Sequence, residues 1–260
     1  MGAGKMGMAM VEGWLAQGLD AKTLTLVDPM PAEATVNFAN QQNISLLSEF
    51  PSFKAEIVVL AVKPQIAQSV MAGIAGQLSG DCLILSVIAG FSLEALKNAL
   101  GSDKIIRTMP NTPAQVGKGV VGAIAGSGVG EKERQLAHAL LSASGIAVWL
   151  DDEKLIDALT GISGCGPAYV FLLVEAMAAA GVAEGLDRDM ANILARHTVI
   201  GAAALMEADS SEAAILRKNV TSPNGVTAEA LKVLMDGQEL FELVGRAVKA
   251  AARRNREIGE

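Results

Sequence analysis

Short apolar runs and segments with helical spacing alternate along the first 150 residues of the chain. The runs have the length of buried strands, and the segments between them repeat apolar side chains every three or four positions. This pattern predicts strands at 24–27, 57–62, 82–87, 104–107, 120–125 and 146–150, and helices at 8–17, 32–42, 66–78, 93–100 and 131–142. Regular alternation of this kind is typical of an α/β fold with a doubly wound parallel sheet.

The pattern changes after the acidic cluster at 151–153. From there to the last residue the chain reads as helix rich in alanine and leucine, with breaks predicted at 161–167, 208–211 and 221–225. We therefore predict two domains: an α/β domain over residues 1–151 and an all-α domain over residues 152–260.

The composition narrows the possible partners. Hydrophobic residues make up 51% of the 260 residues, which predicts burial between subunits as well as in a core, and hence a homo-oligomer. The net charge of -7 argues against nucleic acid as a partner, because phosphate binding needs a basic surface. The longest apolar run, 168–183, contains Glu175 and is shorter than the roughly 20 residues of a membrane helix, so we predict no membrane partner.

The two cysteines, Cys82 and Cys165, form neither a metal-ligand spacing nor a disulfide framework. The first seven residues lack the charged and apolar regions of a secretory signal. These features predict a cytoplasmic protein with no metal site.

The chain opens on a glycine-rich motif of the form G-x-G-x-x-G, which is typical of the turn that binds a dinucleotide pyrophosphate in a Rossmann-type domain. The motif comprises Gly2, Ala3, Gly4, Lys5, Met6 and Gly7. Asp28 follows a predicted strand 21 residues after Gly7, where a dinucleotide site places an acid against the adenosine ribose. Its alternative role is a turn aspartate before Pro29.

A motif of this kind normally follows a hydrophobic strand, yet the sequence starts inside the turn. That strand is central in the sheet, so its loss would leave two unpaired edges in the core. The hypothesis from sequence is therefore a truncated record or a start site placed too late.

Two glycine-rich stretches in the helical half have the residue types of an anion site. Residues 163–169 and 220–227 each precede or open a predicted helix, whose first amides could hold a carboxylate. The first stretch could instead be a helix–helix turn that needs no ligand. In the second, helix capping would explain one hydroxyl, with Thr227 as the N-cap residue.

Five motifs, in this order and spacing, resemble the pyrroline-5-carboxylate reductase family. They are G-A-G-K-M-G at 2–7, A-V-K-P at 61–64, M-P-N-T-P at 109–113, T-G-I-S-G-C-G-P-A-Y-V-F at 160–171 and V-T-S-P-N-G-V-T at 220–227. The resemblance implies reduction of a cyclic imine, pyrroline-5-carboxylate, to proline with NADPH or NADH. It also implies a Rossmann domain followed by a helical domain that forms homodimers, which assemble further into decamers.

The resemblance also implies roles for individual residues. The substrate carboxylate is held by Asn224, Gly225, Val226 and Thr227, the Thr227 hydroxyl is the catalytic group near the ring nitrogen, and Ser163 lines the substrate site. Besides the opening motif and Asp28, the cofactor-binding residues are Ala61, Val62, Lys63, Pro64, Ala89 and Asn111.

The sequence departs from the family at three further positions. Asn224 replaces the first glycine of a pair, although asparagine tolerates positive φ. Val226 replaces a threonine or alanine. Asp28, with no basic residue at 29–31, would repel an adenosine 2′-phosphate, which favours NADH or dual use over NADPH.

Two alternatives stay open from the sequence. A β-hydroxyacid dehydrogenase has a similar glycine-rich interdomain turn, but it carries a lysine where this chain has Val170. The other alternative is an inactive nucleotide-binding fragment or scaffold.

Overall fold

The structure, a computed structural model, describes residues 1–51 and 54–259. Within these residues the strands are β1 (Thr25–Val27), β2 (Ser45–Leu47), β3 (Ile57–Leu60), β4 (Leu83–Ser86), β5 (Ile105–Met109), β6 (Gly119–Ala125) and β7 (Gly145–Trp149). The α-helices are α1 (Lys5–Ala16), α2 (Glu33–Gln42), α3 (Pro64–Ile74), α4 (Leu93–Leu100), α5 (Glu131–Ser142), α6 (Leu155–Leu159), α7 (Gly166–Ala183), α8 (Arg188–Ala208), α9 (Ala213–Asn219), α10 (Val226–Met235) and α11 (Glu239–Gly259).

The strands form two separate sheets. One contains β1 and β2, and the other contains β3 to β7 in sequence order. Every pair is parallel except β5 with β6. The predicted α/β architecture is confirmed, and the sheet differs from an all-parallel one because β6 and β7 run opposite to β3, β4 and β5.

Helices cover both faces of the larger sheet. Side chains of α1 and α5, such as Trp14 and Leu141, pack on one face against Leu85 and Ile106. Side chains of α3 and α4, such as Met71 and Leu96, pack on the other face. All four residues of β4 are buried, as expected for a strand covered on both sides.

Local signals explain why several predicted boundaries are correct. The α4 helix spans the predicted residues because the Ser92 hydroxyl accepts a hydrogen bond from the Ala95 N–H (3.1 Å) at its start. At its end, Gly101 adopts φ 67°, a left-handed conformation that favours glycine. The short strand β2 was not predicted, since only its central residue is partly buried and no alternation marks it.

The chain forms two compact units. One contains Met1–Cys165 together with Ala250–Glu260, and the other contains Gly166–Lys249. This division falls 14 residues after the boundary predicted at Asp151. In the first unit, the Asn255 side chain donates a hydrogen bond to Asp157 (2.7 Å), which attaches the end of α11 to α6.

The break predicted at 161–167 is wrong. Residues Thr160–Gly164 form a π-helical turn that runs directly into α7. The Thr160 hydroxyl donates to the Ile156 carbonyl (2.7 Å), and the Cys165 N–H donates to the Thr160 carbonyl (2.9 Å). Glycines therefore widen the helix here instead of ending it. The predicted break at Thr221–Gly225 is confirmed, because α9 ends at Asn219 and α10 begins at Val226.

The helical unit leaves many apolar side chains exposed. Its α7 and α8 pack together through small side chains, including Ala178, Ala191 and Ala195. Exposed large apolar side chains of α7 are Val170, Phe171, Leu172, Leu173 and Val182. Within the described part of the chain, the helical stretch Leu155–Ala183 is the one that is long and apolar enough to cross a membrane, by length and composition only.

Candidate active site

The glycine-rich loop lies where β1 and β3 end. The Gly2 N–H donates to the Val27 carbonyl (2.9 Å), and Gly2 has φ +85°. A Cβ atom on Gly2 would lie 2.6 Å from the Ala61 carbonyl oxygen, and one on Gly7 would collide with the Gly2 carbonyl oxygen. Glycine is therefore required at both positions by close backbone approach.

The start of α1 is open to an anion. Gly4 is the N-cap residue, no side chain among the described residues caps it, and a Cβ on Gly4 would have no atom within 4 Å. The first N–H groups of the helix have no intrahelical partner, so they are available to a ligand on this open side. Lys5 and Met6 form the first turn. This geometry is suited to a pyrophosphate at the helix N-terminus.

Asp28 is fixed beside this loop. One carboxylate oxygen accepts a hydrogen bond from the Ala3 N–H (2.8 Å), and the other accepts one from the Met30 N–H (2.9 Å). The structure therefore brings Asp28 and the opening motif together. Both predicted roles are compatible with this geometry, since the second hydrogen bond forms the predicted turn and the carboxylate retains further acceptor positions.

The A-V-K-P motif lies against the same loop. The Ala61 N–H donates to the Met1 carbonyl (2.8 Å), and the Val62 side chain lies 3.0 Å from a Cβ placed on Gly2. Lys63 is the N-cap of α3, which begins at Pro64. Ala89 follows the next strand, β4, in sequence. Two of the predicted cofactor motifs thus meet at the carboxyl end of β3, where open α/β sheets bind their ligands.

A hydroxyl that the sequence pattern did not single out also supports the loop. The buried Thr35 side chain, on α2, donates to the Ala3 carbonyl (3.2 Å). The sequence signal is weak, because a threonine in the first turn of a helix usually has no tertiary partner. Asp28 thus accepts from the Ala3 N–H, and Thr35 donates to the Ala3 carbonyl.

Asn111 and Ser163 are brought together by the structure. The Asn111 side chain donates to the Ser163 carbonyl (2.9 Å), and its own oxygen accepts from the Val120 N–H (2.8 Å). The Ser163 hydroxyl donates back to the Leu159 carbonyl (3.0 Å). Asn111 is buried and joins the loop after β5 to the π-helical turn. Its role in binding the cofactor stays a prediction.

The loop before α10 has the open amides that were predicted. Asn224 adopts φ 57°, so asparagine does occupy a left-handed position here. The N-cap residue is Gly225, so the alternative in which Thr227 caps the helix does not hold: Thr227 lies in the first helical turn. Val226 is 90% exposed, and no side chain of the described residues caps the helix.

These residues belong to two different units. The opening motif, Asp28, the A-V-K-P motif, Asn111 and Ser163 lie in the first unit, and the loop ending at Gly225 lies in the second. Among the described residues, no group of three His, Cys, Asp or Glu side chains could hold a metal ion. The groups that the site does offer are backbone amides at two helix starts and the side chains of Asp28, Asn111 and Ser163.

The amino group of Met1 is an unusual charge next to the glycine loop. It donates a hydrogen bond to the Val59 carbonyl (2.9 Å). Burial lowers the pKa of this group from 8.0 to about 6, and the negative charge of Asp28 opposes part of that shift. The end of β3 is therefore an environment that disfavours a positive charge at this nitrogen.

Comparison with known proteins covers the entire chain. Residues 153–258 match the family described as pyrroline-5-carboxylate reductase dimerisation, and residues 1–90 match the family described as NADP oxidoreductase, coenzyme F420-dependent. The pyrroline-5-carboxylate reductase of Pseudomonas aeruginosa is 40% identical, over 100% of this chain and 96% of its own length.

Solved structures show the same similarity. A pyrroline-5-carboxylate reductase from Coxiella burnetii superposes with a TM-score of 0.92 at 32% identity, covering 100% of this chain and 97% of the other. The Plasmodium falciparum enzyme, solved with NADP bound, has a TM-score of 0.84 at 31% identity, again covering 100% and 97% of the two chains.

Proposed function

The chain belongs to the pyrroline-5-carboxylate reductase family, and we propose how its residues divide the work of reducing pyrroline-5-carboxylate to proline with NAD(P)H. The resemblance drawn from the five sequence motifs is confirmed by the full-length similarity to characterised reductases. The glycine loop at the open start of α1 is the structural observation that supports coenzyme binding by this chain.

The substrate explains why the chain needs so few acid–base groups. A cyclic imine is basic enough to arrive protonated, so hydride addition to its carbon gives a neutral amine without a proton donor in the transition state. Binding and orientation of the two reactants can then supply most of the rate enhancement. In the proposal, the first unit holds the coenzyme and the loop before α10 holds the substrate.

The substrate carboxylate binds at the start of α10. The amides of Gly225, Val226 and Thr227 lie at a helix N-terminus that has no capping side chain among the described residues. Asn224, in its left-handed conformation, directs the chain into this turn. Ser163 lines the substrate site from the π-helical turn, and the loop reaches the coenzyme of the partner subunit. The Thr227 hydroxyl hydrogen-bonds the ring nitrogen and orients it toward the nicotinamide.

The activity itself is tested by following pyrroline-5-carboxylate-dependent oxidation of NADH and NADPH by the purified chain. We expect turnover with both coenzymes and no oxidation without the imine. Coenzyme oxidation with a 3-hydroxyacid or its keto form, and none with the imine, would contradict the assignment.

Thr227→Ala is expected to lower kcat about 10- to 100-fold, because the lost hydrogen bond to a charged ring nitrogen contributes about 1.5–3 kcal/mol. The melting temperature should stay within about 2 °C, since Thr227 is exposed and caps nothing. Steady-state kinetics and thermal unfolding check both parts. Thr227→Ser is the matched control and should retain most of the activity; equal losses in both variants would count against the hydroxyl.

For the coenzyme, we propose NADH or dual use. The support is the fixed position of Asp28, whose carboxylate faces the loop with no basic residue at 29–31 to offset its charge. A 2′-phosphate about 4 Å away would be repelled by roughly 1–4 kcal/mol. The relative solved with NADP shows that this fold accepts the phosphorylated coenzyme, so the preference depends on this site.

Asp28→Asn is therefore expected to raise kcat/KM for NADPH relative to NADH by about tenfold or more. The substitution removes the charge and keeps the size of the side chain, but the asparagine NH2 group cannot accept one of the two backbone hydrogen bonds, which would weaken the site for both coenzymes alike. The ratio of the two specificity constants is the measurement, and Asp20→Asn, at a surface turn of the same unit, is the control. An unchanged ratio would show that Asp28 acts only as a turn residue.

The chain forms a homodimer through its dimerisation domain, and we propose that the dimers assemble further into a decamer. The support is the amount of apolar surface that α7, α8, α10 and α11 leave exposed within their own unit. On this proposal the apolar stretch Leu155–Ala183 packs against other subunits and not against lipid. We place the enzyme in the cytoplasm, consistent with the two free cysteines. Light scattering on the purified protein gives the assembly size.

A further inference from the structure

The side chain of Asn111 joins separate segments of the first unit. It lies in the loop between β5 and β6, where it is buried. Its Nδ2 atom donates to the Ser163 carbonyl (2.9 Å), and its Oδ1 atom accepts from the Val120 N–H of β6 (2.8 Å). Because a carbonyl can only accept and an N–H can only donate, these two partners determine which end of the amide faces which segment.

The Ser163 carbonyl lacks the donor that an α-helix would supply. In an α-helix each carbonyl accepts from the N–H four residues later, which for Ser163 is position 167. That residue is Pro167, which has no N–H and whose ring collides with the carbonyl four residues before it in a regular helix. The helix is not regular here, since the π-helical turn Thr160–Gly164 directly precedes α7.

Asn111 supplies the donor that Pro167 cannot. The side chain at position 111 must donate to the Ser163 carbonyl and accept from the Val120 N–H at the same time. An asparagine amide does both, whereas an ionised carboxylate could only accept and an apolar side chain could do neither. Loss of this amide would leave a carbonyl and an N–H without their partners, and unmade hydrogen bonds of buried groups are costly.

The π-helical turn is thus held from inside and from outside the helix. From inside, the Ser163 hydroxyl donates to the Leu159 carbonyl (3.0 Å), and the Thr160 hydroxyl donates to the Ile156 carbonyl (2.7 Å). From outside, Asn111 connects the turn to the loop after β5. That loop leaves the carboxyl end of β5, and this edge of the parallel strands is where α/β sheets bind their ligands.

We propose that Asn111 is a positioning residue for the substrate side of the reaction. By giving the Ser163 carbonyl the hydrogen bond that Pro167 cannot give, it sets where the π-helical turn lies relative to the carboxyl edge of the sheet. It acts through Ser163 and does not need to touch either reactant. The inference rests on the proposed place of Ser163 in the substrate site, and it differs from the coenzyme-binding role that the family resemblance implies for Asn111.

The test is a double-mutant cycle on the full chain. Asn111→Ala removes the donor, Pro167→Ala supplies an N–H at position 167, and a third variant combines the two substitutions. Asn111→Ala also leaves the Val120 N–H unpaired, but this loss is the same in both backgrounds and cancels in the cycle. Asn98→Ala, at an exposed position of α4, is the matched control and should be additive with Pro167→Ala. Pro167→Ser supplies the same N–H and replaces Pro167→Ala if that variant changes amide exchange in β4.

Hydrogen exchange followed by mass spectrometry reports on residues 160–166, with β4 as the internal reference. In the parent chain, Asn111→Ala should speed exchange over 160–166 and raise KM for the imine, each by about 3- to 10-fold, the effect of one neutral hydrogen bond. The NADH dissociation constant, from fluorescence titration, should stay within about twofold. In the Pro167→Ala background, Asn111→Ala should change both the exchange and the KM by less than about twofold.

Three results would overturn the proposal. Equal effects of Asn111→Ala in both backgrounds would show that the Ser163 carbonyl does not depend on this donor. Weaker NADH binding with an unchanged KM for the imine would place Asn111 in the coenzyme site. Faster exchange over 160–166 with an unchanged KM would make the bond purely structural. Exchange and NADH titration need no imine, so a parent chain that fails to reduce the imine would count against the proposed function and be distinguishable from these outcomes.

Discussion

Gly7→Ala is expected to weaken NADH binding by about 100-fold. A Cβ at this position collides with the Gly2 carbonyl oxygen. Gly2 has little room to move, because its N–H is bonded to the Val27 carbonyl and even a Cβ on Gly2 would lie 2.6 Å from the Ala61 carbonyl oxygen. The added methyl group must therefore displace either α1 or the loop that holds the pyrophosphate. Overpacking of this kind costs about 1–3 kcal/mol, which corresponds to roughly 5- to 150-fold in affinity if the loop moves.

The measurement is a titration of coenzyme fluorescence, together with thermal unfolding of each variant. Gly73→Ala is the matched control, because Gly73 lies within α3 and a Cβ there has no atom within 4 Å. This control should bind NADH normally and gain up to about 1 kcal/mol of stability, since alanine is the better helix former. Normal coenzyme binding by Gly7→Ala would show that the loop can adjust to the methyl group.

The glycine loop also shows why part of this structure could be predicted from the sequence. Glycine is required at positions 2 and 7 by the backbone geometry, so the short motif is enough to predict the turn. The same is true of α4, whose Ser92 and Gly101 mark its ends. Asp28 could be placed beside the loop because it follows a buried strand at a spacing typical of these domains.

Other features depend on partners that are distant in sequence. Asn111 lies 52 residues from Ser163, and nothing near Asn111 indicates that its side chain binds that carbonyl. Thr35 supports Ala3 from a different helix. The π-helical turn at Thr160–Gly164 read as a break because glycine usually ends helices, whereas here the helix continues through it. The first two features are tertiary contacts, and the π-helical turn combines local hydrogen bonds with the tertiary bond from Asn111 to Ser163.

The contacts of Met1 and Gly2 are a further feature that depends on residues distant in sequence. The Met1 nitrogen donates to the Val59 carbonyl of β3, and the Gly2 N–H donates to the Val27 carbonyl of β1. The glycine motif predicts the turn, but it does not indicate which carbonyls hold the turn in place.

Glu153→Ala is expected to destabilise the first unit by about 3–5 kcal/mol, because it leaves the buried Arg107 guanidinium without its counter-ion. Arg107 lies on β5, and one terminal nitrogen contacts a Glu153 carboxylate oxygen at 2.5 Å. The same oxygen accepts a hydrogen bond from the Leu93 N–H (2.7 Å) at the start of α4. Within the described residues the Arg107 Nε atom has no hydrogen-bond partner. The ion pair with Glu153 is therefore the main interaction that offsets the cost of burying the guanidinium charge.

Thermal and urea unfolding of the variants measure this effect, and a drop of roughly 10 °C in melting temperature is expected for a unit of this size. Arg107→Met combined with Glu153→Leu should recover most of the lost stability, because it removes both charges together. Glu257→Ala is the control, since it breaks exposed ion pairs with Arg253 and Arg254 that contribute under about 1 kcal/mol. If Glu153→Ala lowered the stability no more than Glu257→Ala, water or a movement of β5 would have to stabilise the Arg107 charge. The ion pair would then not be what holds Glu153, which lies between β7 and α6, against the sheet.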